Sequence, residues 1–584
     1  MLAGANAQFP SFTPDNPGSY KLTESVSGKT MTVHAGTWLG MNGASATCMT
    51  CHDDKTAPDR FTAWAKTKHA STFQRGLDGQ FGPDFAPECV GCHTTGSSPA
   101  DNGGFDDVMR KDAWPWPATL QPGSFDALVK KNPDLAQLAN VQCESCHGPQ
   151  FSDAHPSDAK ARITWSEEVC ASCHQASPFN YKGAQWQSSK HADPSLARRF
   201  GTVETRPNGG AAHCGRCHTA QGYAQYTKQL QIGYTGNLTK DGKALAADKS
   251  NTADDAYLAS IGLTNATVQP QVCVACHDPH DATNPAQLRI YDAAPGGLPS
   301  GQPAFSAVGK GMVCMACHNS RNGELDDFTP APAAISGPHD GPQTDVLFGF
   351  NAYFVPRFTS SPHLAVKDTC VGCHYGAPTA AEKTAHQTSN HSFAADLTIC
   401  GNCHSSEMNG GTIQASVQGH MDDLDALIYA KVQSALAGAA TTYGSYKVRI
   451  IDPATGYTSS YVASGTAPSN IALAAAPVTI GRPQPVPQHG GLTTLVFTMA
   501  SPVTFEAFDA AGNDKGPLTL TTFNVALTGV QANGTTALFP GSTIIAKAIW
   551  NEQLLHNDGT KGIHNLPFYE AVLSATMTKL STLP

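Results

Sequence analysis

The feature that most constrains this 584-residue chain is its cysteine pattern: all 18 cysteines fall into nine Cys-x-x-Cys pairs, and a histidine follows every second cysteine. The motifs are Cys48/Cys51/His52, Cys89/Cys92/His93, Cys143/Cys146/His147, Cys170/Cys173/His174, Cys214/Cys217/His218, Cys273/Cys276/His277, Cys314/Cys317/His318, Cys370/Cys373/His374 and Cys400/Cys403/His404. Composition alone would produce such a pentapeptide roughly 0.02 times in a chain of this length. A zinc ribbon has no need of histidine at each fifth position, and a disulfide framework does not fix this spacing. Two thiols three residues apart reach the two vinyl groups of one porphyrin, and the adjacent imidazole then lies where it can enter an axial position of the iron. The motifs therefore predict nine covalently bound haem c groups and nine proximal ligands.

The 23 histidines less those nine leave 14, enough for a second axial imidazole at every iron. Ligation of most haems by two histidines closes the iron to small molecules and suits electron transfer more than catalysis. His69 and His191 share a pattern in which tryptophan stands five residues before a His-Ala pair, Trp64-Ala-Lys-Thr-Lys-His69-Ala and Trp186-Gln-Ser-Ser-Lys-His191-Ala. His155 follows Cys146-His147-Gly-Pro by a short loop, and His280 stands in Cys276-His277-Asp-Pro-His280, too close to its neighbour to serve the same iron. His339, His363, His391 and His564 lie in turn-like settings with little apolar face to pack on. His34 completes the set of distal candidates. His213, His386, His420, His489 and His556 are read as surface or hydrogen-bonded histidines.

The formal charge is −10, and nine ferric haems with their propionates take it to roughly −19. With no basic run, nucleic acid and anionic lipid are excluded as partners. The partners expected are other redox proteins or cytochromes, extracellular minerals, electrodes and soluble shuttles. Haem attachment of this kind takes place outside the cytoplasm, so the chain is expected to be exported with its signal peptide removed, to an extracellular or cell-surface rather than periplasmic location. No apolar run reaches the length of a membrane span.

Only 14% of the residues are charged, and 54 glycines and 40 prolines favour irregular connections, so a mostly irregular and α-helical multihaem module is expected. It covers residues 1–440, with short helices near Phe125–Leu138 and Trp165–His174. An amphipathic helix carries Met421, Leu424, Ile428, Val432 and Ala435 on one face. Residues 441–543 alternate in the manner of strands, in Tyr446–Ile451, Thr494–Thr498, Val503–Phe508 and Leu518–Phe523, and predict a small β-sandwich inserted near the C-terminus. Asp509-Ala-Ala-Gly-Asn-Asp-Lys-Gly reads as its hairpin turn, with a calcium loop as the alternative. Residues 544–584 return to helix, near Ile544–Leu555 and Pro567–Leu580, and rejoin the haem module.

The two Trp-x-x-x-x-His-Ala segments, the Cys-His-Gly-Pro followed by His155, and Asn551…Asp558-Gly-Thr-Lys-Gly-Ile-His564-Asn-Leu-Pro resemble the superfamily of octahaem tetrathionate reductase, hydroxylamine oxidoreductase and pentahaem nitrite reductase. The resemblance spans roughly residues 45–440 and 544–580. It implies that His69, His155, His191 and His564 are distal ligands. Nine motifs and an added β-domain look more like the nonahaem surface cytochromes that metal-reducing bacteria use for extracellular electron transfer. The nitrite reductases carry lysine in place of one motif histidine, whereas all nine motifs here end in histidine, so no catalytic residue is assigned. The expected function is extracellular electron transfer along the haems, with a cytochrome filament joined through His34 as a variant. The competing reading is an enzyme that reduces or oxidises a small nitrogen or sulfur compound at one open haem. A third is an interaction role, in which the β-domain docks the protein on a surface layer.

Overall fold

The computed structural model describes the chain apart from residues 1, 4–10, 13, 42–46, 100, 150–162, 176–180, 322–336, 358–359, 376–389, 396, 406–409, 443–446, 463–476, 487–491, 510, 531–535 and 539–540. His155, His386 and His489 lie outside the described residues. Two compact units emerge: Met1–Lys228 with Asn237–Tyr291 and Ala377–Ala394, and Gln229–Gly236 with Asp292–Gly376 and Ala395–Pro584. The first holds six of the motifs and the second the last three.

In the first unit, regular structure is short and gathers at the motifs, in the helices Thr47–Cys51, Val90–His93, Cys143–His147, Glu168–His174, Gly210–His218 and Cys273–Cys276. One helical turn carries residues i and i+3 to the same face, so each pair of thiols points the same way. The Phe125–Leu138 stretch is two helices, Ser124–Lys131 and Pro133–Gln137, because Pro133 cannot continue the first and opens the second. These pack with Phe73, Leu77, Phe85 and Phe105 in an aromatic core, where Phe73 and Phe105 meet edge to face with centroids 4.8 Å apart. Gly76 is required there, since a Cβ would lie 2.3 Å from the Phe85 ring. Near the N-terminus, strands β1 (Leu2–Ala3) and β2 (Ser11–Phe12) pair, as do β3 (Gly18–Thr23) and β4 (Thr30–Ala35), which carries His34.

In the second unit, helices Gly410–Thr442, Ser542–Asp558 and Leu566–Ser581 pack against one another and against a sheet. The predicted face of the first is its buried side, with Met421, Leu424, Ile428 and Val432 in the core. Helix Ser542–Asp558 is buried along most of its length, polar Asn551, Glu552, Gln553 and Asp558 included. Gly559, at φ +76°, ends it in a left-handed cap. The sheet comprises β5 (Lys447–Ile451), β6 (Thr458–Val462), β7 (Pro477–Val486), β8 (Leu492–Phe508), β9 (Asp514–Val525), β10 (Thr528–Val530) and β11 (Thr536–Leu538). β5 pairs with β6, β6 with β8, β8 with β9, and β9 again with β5, so the sheet curls into a ring.

This differs from the expected sandwich: the described strands form one curled seven-stranded sheet rather than two facing ones. The predicted strands Thr494–Thr498 and Val503–Phe508 are halves of β8, joined through Ser501-Pro502 by a register shift between Thr498 and Val503. Proline supplies no ladder donor, and the bulge bends the strand without ending it. Asp509 closes the β8–β9 hairpin, its carboxylate accepting from the Ala511 and Asn513 amides and pairing with Lys515, which spends it on the turn rather than on calcium. No helix among the described residues is long and apolar enough to cross a membrane.

Asn551 ties the Tyr353 segment to the C-terminal helices. Its Oδ1 accepts from the Tyr353 amide at 2.8 Å, and its Nδ2 donates to the Tyr353 carbonyl and to Thr576 Oγ1, all buried. Replacing Asn551 with leucine strands those groups and lowers stability by about 3 kcal/mol, read from guanidinium unfolding followed by far-ultraviolet circular dichroism. An unchanged midpoint contradicts this role.

Candidate haem centres

Three of the motif turns are pinned by side chains around them. At the third, the buried Glu144 carboxylate, inside Cys143-Glu-Ser-Cys146, accepts from the Leu39 amide at 3.1 Å and the Gly40 amide at 2.8 Å. At the fifth, Cys217 lies within the helix Gly210–His218, and its carbonyl accepts from Gln271 Nε2 at 2.6 Å. At the sixth, Arg289 donates to the Val274 carbonyl at 2.8 Å and to the Asp278 carboxylate at 2.9 Å. Burial opposes ionisation of Asp278, yet His280, whose backbone amide donates to it at 3.1 Å, and the charge of Arg289 win and hold it below the usual carboxylate range.

The nine turns are not uniform. Cys317 and Cys403 stand just beyond the ends of their local helices, Met312–Met315 and the 3₁₀ segment Leu397–Asn402. The Cys317 amide donates to the Cys314 carbonyl, and the Cys403 amide to the Cys400 carbonyl, each at 3.1 Å. Bonds that reach back three residues are the tighter winding with which short helices close. The histidines that follow still reach back four, His318 to the Cys314 carbonyl at 2.9 Å and His404 to the Cys400 carbonyl at 2.8 Å. Exposure varies too: Cys51, Cys146 and Cys403 are exposed, whereas Cys89, Cys217, Cys276, Cys317, Cys373 and Cys400 are half-buried with the remainder.

None of the 18 cysteines forms a disulfide. Thiols of different motifs nevertheless touch. Within the first unit Cys48 hydrogen-bonds Cys143, Cys92 meets Cys173, and Cys170 meets Cys273; within the second, Cys314 meets Cys370. The motifs therefore adjoin in an order that sequence does not follow, the first beside the third and the fourth between the second and sixth.

The imidazoles carry the clearest geometry. Five motif histidines each face a histidine from outside the motifs: His174 and His69 have ring centroids 6.3 Å apart, His147 and His280 6.0 Å, His277 and His391 6.4 Å, His404 and His363 6.1 Å, and His374 and His564 6.3 Å. A metal–imidazole nitrogen bond is about 2.0 Å, so two rings bound to opposite sides of one metal have centroids roughly 6.3 Å apart. The five gaps thus fit a metal between two imidazoles. His280 is set against His147 and not its neighbour His277.

The outer nitrogens are engaged as such a site needs. Nδ1 of His52 meets the Pro58 carbonyl at 3.0 Å, that of His93 Thr72 Oγ1 at 2.8 Å, that of His277 the Ala286 carbonyl at 2.8 Å, that of His318 Gln343 Oε1 at 3.0 Å, and that of His363 the Ile563 carbonyl at 2.9 Å. A proton held on Nδ1 leaves Nε2 as the neutral donor. Burial keeps His69, His93, His277 and His318 below the ordinary histidine value, and burial reinforced by His69 takes His174 down to about 4. His564 goes the other way: burial pulls it down, but the Asp558 charge outweighs this.

Of the other distal candidates, His34 bonds Ser19 Oγ at 2.8 Å across the β3–β4 hairpin. His191 packs edge-on against Phe393 at 4.7 Å, and His339 Nδ1 meets the Asp340 carbonyl at 2.8 Å. Among those read as surface histidines, His213 has Nδ1 on Asn237 Oδ1 at 3.0 Å, the arrangement seen at the motif imidazoles, and His420 faces Glu570 at 3.3 Å. Glu144, Gln343 and Asp558 escaped sequence reasoning, since nothing local marks a carboxylate or amide as the support of a distant ligand.

Removing the Glu144 side chain leaves two backbone donors unsatisfied. Glu144→Ala is expected to lower stability by about 2 kcal/mol and to speed limited proteolysis near Leu39, with Glu144→Gln recovering part of the loss. Cleavage at the native rate would refute the anchoring role.

Residues 47–111, which include the first two motifs, match the family described as cytochrome c554 and c-prime. No curated protein matches the chain. Among solved structures, the chain is similar to the outer cell wall cytochrome OcwA at 15% identity, with 84% of this chain and 75% of that one covered and a TM-score of 0.39. It is similar also to the undecahaem cytochrome from the S-layer of Carboxydothermus ferrireducens at 15% identity, with 94% and 70% covered and a TM-score of 0.42. Neither score is high enough to fix the fold.

Proposed function

We propose that this chain is a nine-haem c-type cytochrome that carries electrons outside the cell, through irons mostly held between two histidines, to external acceptors or other cytochromes. The observation that carries the reading is the set of five ring pairs, each joining one motif histidine to one from elsewhere in the chain at a separation of 6.0–6.4 Å. Bound haem c supplies one-electron iron chemistry. The cysteines of each motif hold it by two thioethers, and the paired imidazoles occupy both axial positions. Cys217, Cys317 and Cys403 take the second thioether of the fifth, seventh and ninth groups, the last two from the tighter turns described above.

What the chain's residues do supports conduction. Two histidines leave no axial position for a substrate, and ligands pinned at Nδ1 keep their geometry when the iron changes charge, which keeps reorganisation small. The thiol contacts, Cys92 with Cys173, Cys170 with Cys273 and Cys314 with Cys370, set adjoining attachment points side by side. The family match over residues 47–111 supports haem attachment at the first two motifs. The β-region, residues 441–543, adds no cysteine and packs its apolar side chains into the same core as the C-terminal helices.

The holoprotein is expected to contain nine irons per chain, all released as haem c in a pyridine haemochrome assay. His69→Ala, His280→Ala, His363→Ala, His391→Ala and His564→Ala should each convert one low-spin haem to high-spin by visible and paramagnetic resonance spectroscopy. Fewer haems, or variants with unchanged spectra, would defeat the assignment. Binding of nitrite or cyanide to the unaltered ferric protein would favour the enzymatic reading instead.

A further inference from the structure

The segment 557–565, from the end of helix Ser542–Asp558 through the loop that follows, supports the outer nitrogens of ligands at all three motifs of the second unit, directly at two and through Gln343 at the third. For the seventh, Gln343 bridges: its Oε1 faces His318 Nδ1 at 3.0 Å, and its Nε2 donates to the Asp558 carbonyl at 3.0 Å. For the eighth, the Asp558 carboxylate itself meets His564 Nδ1 at 2.6 Å, and His564 is the ring opposite His374. For the ninth, the Ile563 carbonyl holds His363 Nδ1 at 2.9 Å, and His363 is the ring opposite His404. The loop is itself fixed. Gln414 donates to the Thr560 carbonyl at 3.1 Å, Asn565 Nδ2 to the Val346 carbonyl at 3.1 Å, and a Cβ on Gly562, at φ +95°, would press on Val417 at 3.0 Å.

Asp558 differs in kind from the other two supports. A carbonyl or an amide oxygen accepts a hydrogen bond as a dipole, whereas a buried carboxylate accepts it as an anion, where the low dielectric strengthens the interaction. The Asp558 side chain is fully buried, and its second oxygen is met by neutral donors, Tyr569 Oη at 2.9 Å and the Thr560 hydroxyl. The carboxylate beside the distal His280 is arranged otherwise. Asp278 lies 3.6 Å from that ring, beyond a hydrogen bond, and its charge is met by Arg289 at 2.9 Å.

Resting on the ligand reading above, we propose that Asp558 is a positioning residue that gives His564 imidazolate character and thereby lowers the potential of the haem held at the eighth motif. An electron-rich axial ligand stabilises the ferric over the ferrous state.

The test is potentiometry of the holoprotein with each haem followed by its low-spin resonance. His564→Ala first marks the signal of the eighth site by converting it to high-spin. Asp558→Asn is expected to raise the midpoint of that signal by at least a tenfold change in the ferric/ferrous ratio, about 59 mV for one electron. Asp558→Glu is expected to restore it. Tyr569→Phe withdraws a donor from the same carboxylate, sharpens its hold on His564 and is expected to lower the same midpoint. Opposite signs from these two variants support the proposal. No shift in either, or shifts of the same sign as from a packing defect, would overturn it. If His564→Ala leaves every haem low-spin, His564 is not a ligand, and the failure lies in the ligand assignment.

Discussion

The constraint on which the rest of this structure depends is the gap between paired imidazoles. Five motif histidines each stand 6.0–6.4 Å, centroid to centroid, from a histidine outside the motifs. They make sense around a metal that bonds both. In the described structure each such pair joins a local element, the motif turn, to a histidine from a distant part of the chain, as His374 is joined to His564. On the proposed reading, every iron would then act as a long-range cross-link, closing loops that the short helices and irregular connections of the first unit could not close by themselves.

The two units meet this demand differently. The first has scattered one-turn helices, a modest aromatic core beside the second motif, and anchors such as Glu144 and Arg289 that fix individual turns. The second has a substantial core of its own, in which three long helices and a curled sheet share apolar side chains. Its last three motifs borrow that rigidity through one loop, whose backbone and single carboxylate reach three sets of ligands. A protein built in this way sets its ligand geometry by ordinary packing in one region and by local hydrogen bonds in the other.

What was legible in the sequence follows from range. The motif turns are five-residue objects, so histidine placement needs little beyond helical spacing. Identical spacing nonetheless hid a difference in winding, for Cys317 and Cys403 sit in tighter turns than Cys217. The helix carrying Met421, Leu424, Ile428 and Val432 was equally plain, because its face is periodic. The distal histidines were readable only as a set: turn-like settings single out His363, His391 and His564, but which motif each faces depends on topology. His213 read as a surface residue because it directly precedes Cys214, and only the fold brings Asn237 to its ring. The sandwich expectation failed at Ser501-Pro502, where a proline that normally ends a strand is absorbed in a bulge. The supports Glu144 and Gln343 carry no local signature, and Asp558, though it stands in the stretch that ends at His564, shows its role only through what stands opposite it.

The most direct measurement is an iron anomalous-difference map from crystals of the holoprotein. The account predicts iron peaks midway between His69 and His174, His147 and His280, His277 and His391, His363 and His404, and His374 and His564, each with both Nε2 atoms at about 2.0 Å. Irons displaced from these midpoints, or bound on one side by water or a different side chain, would contradict it.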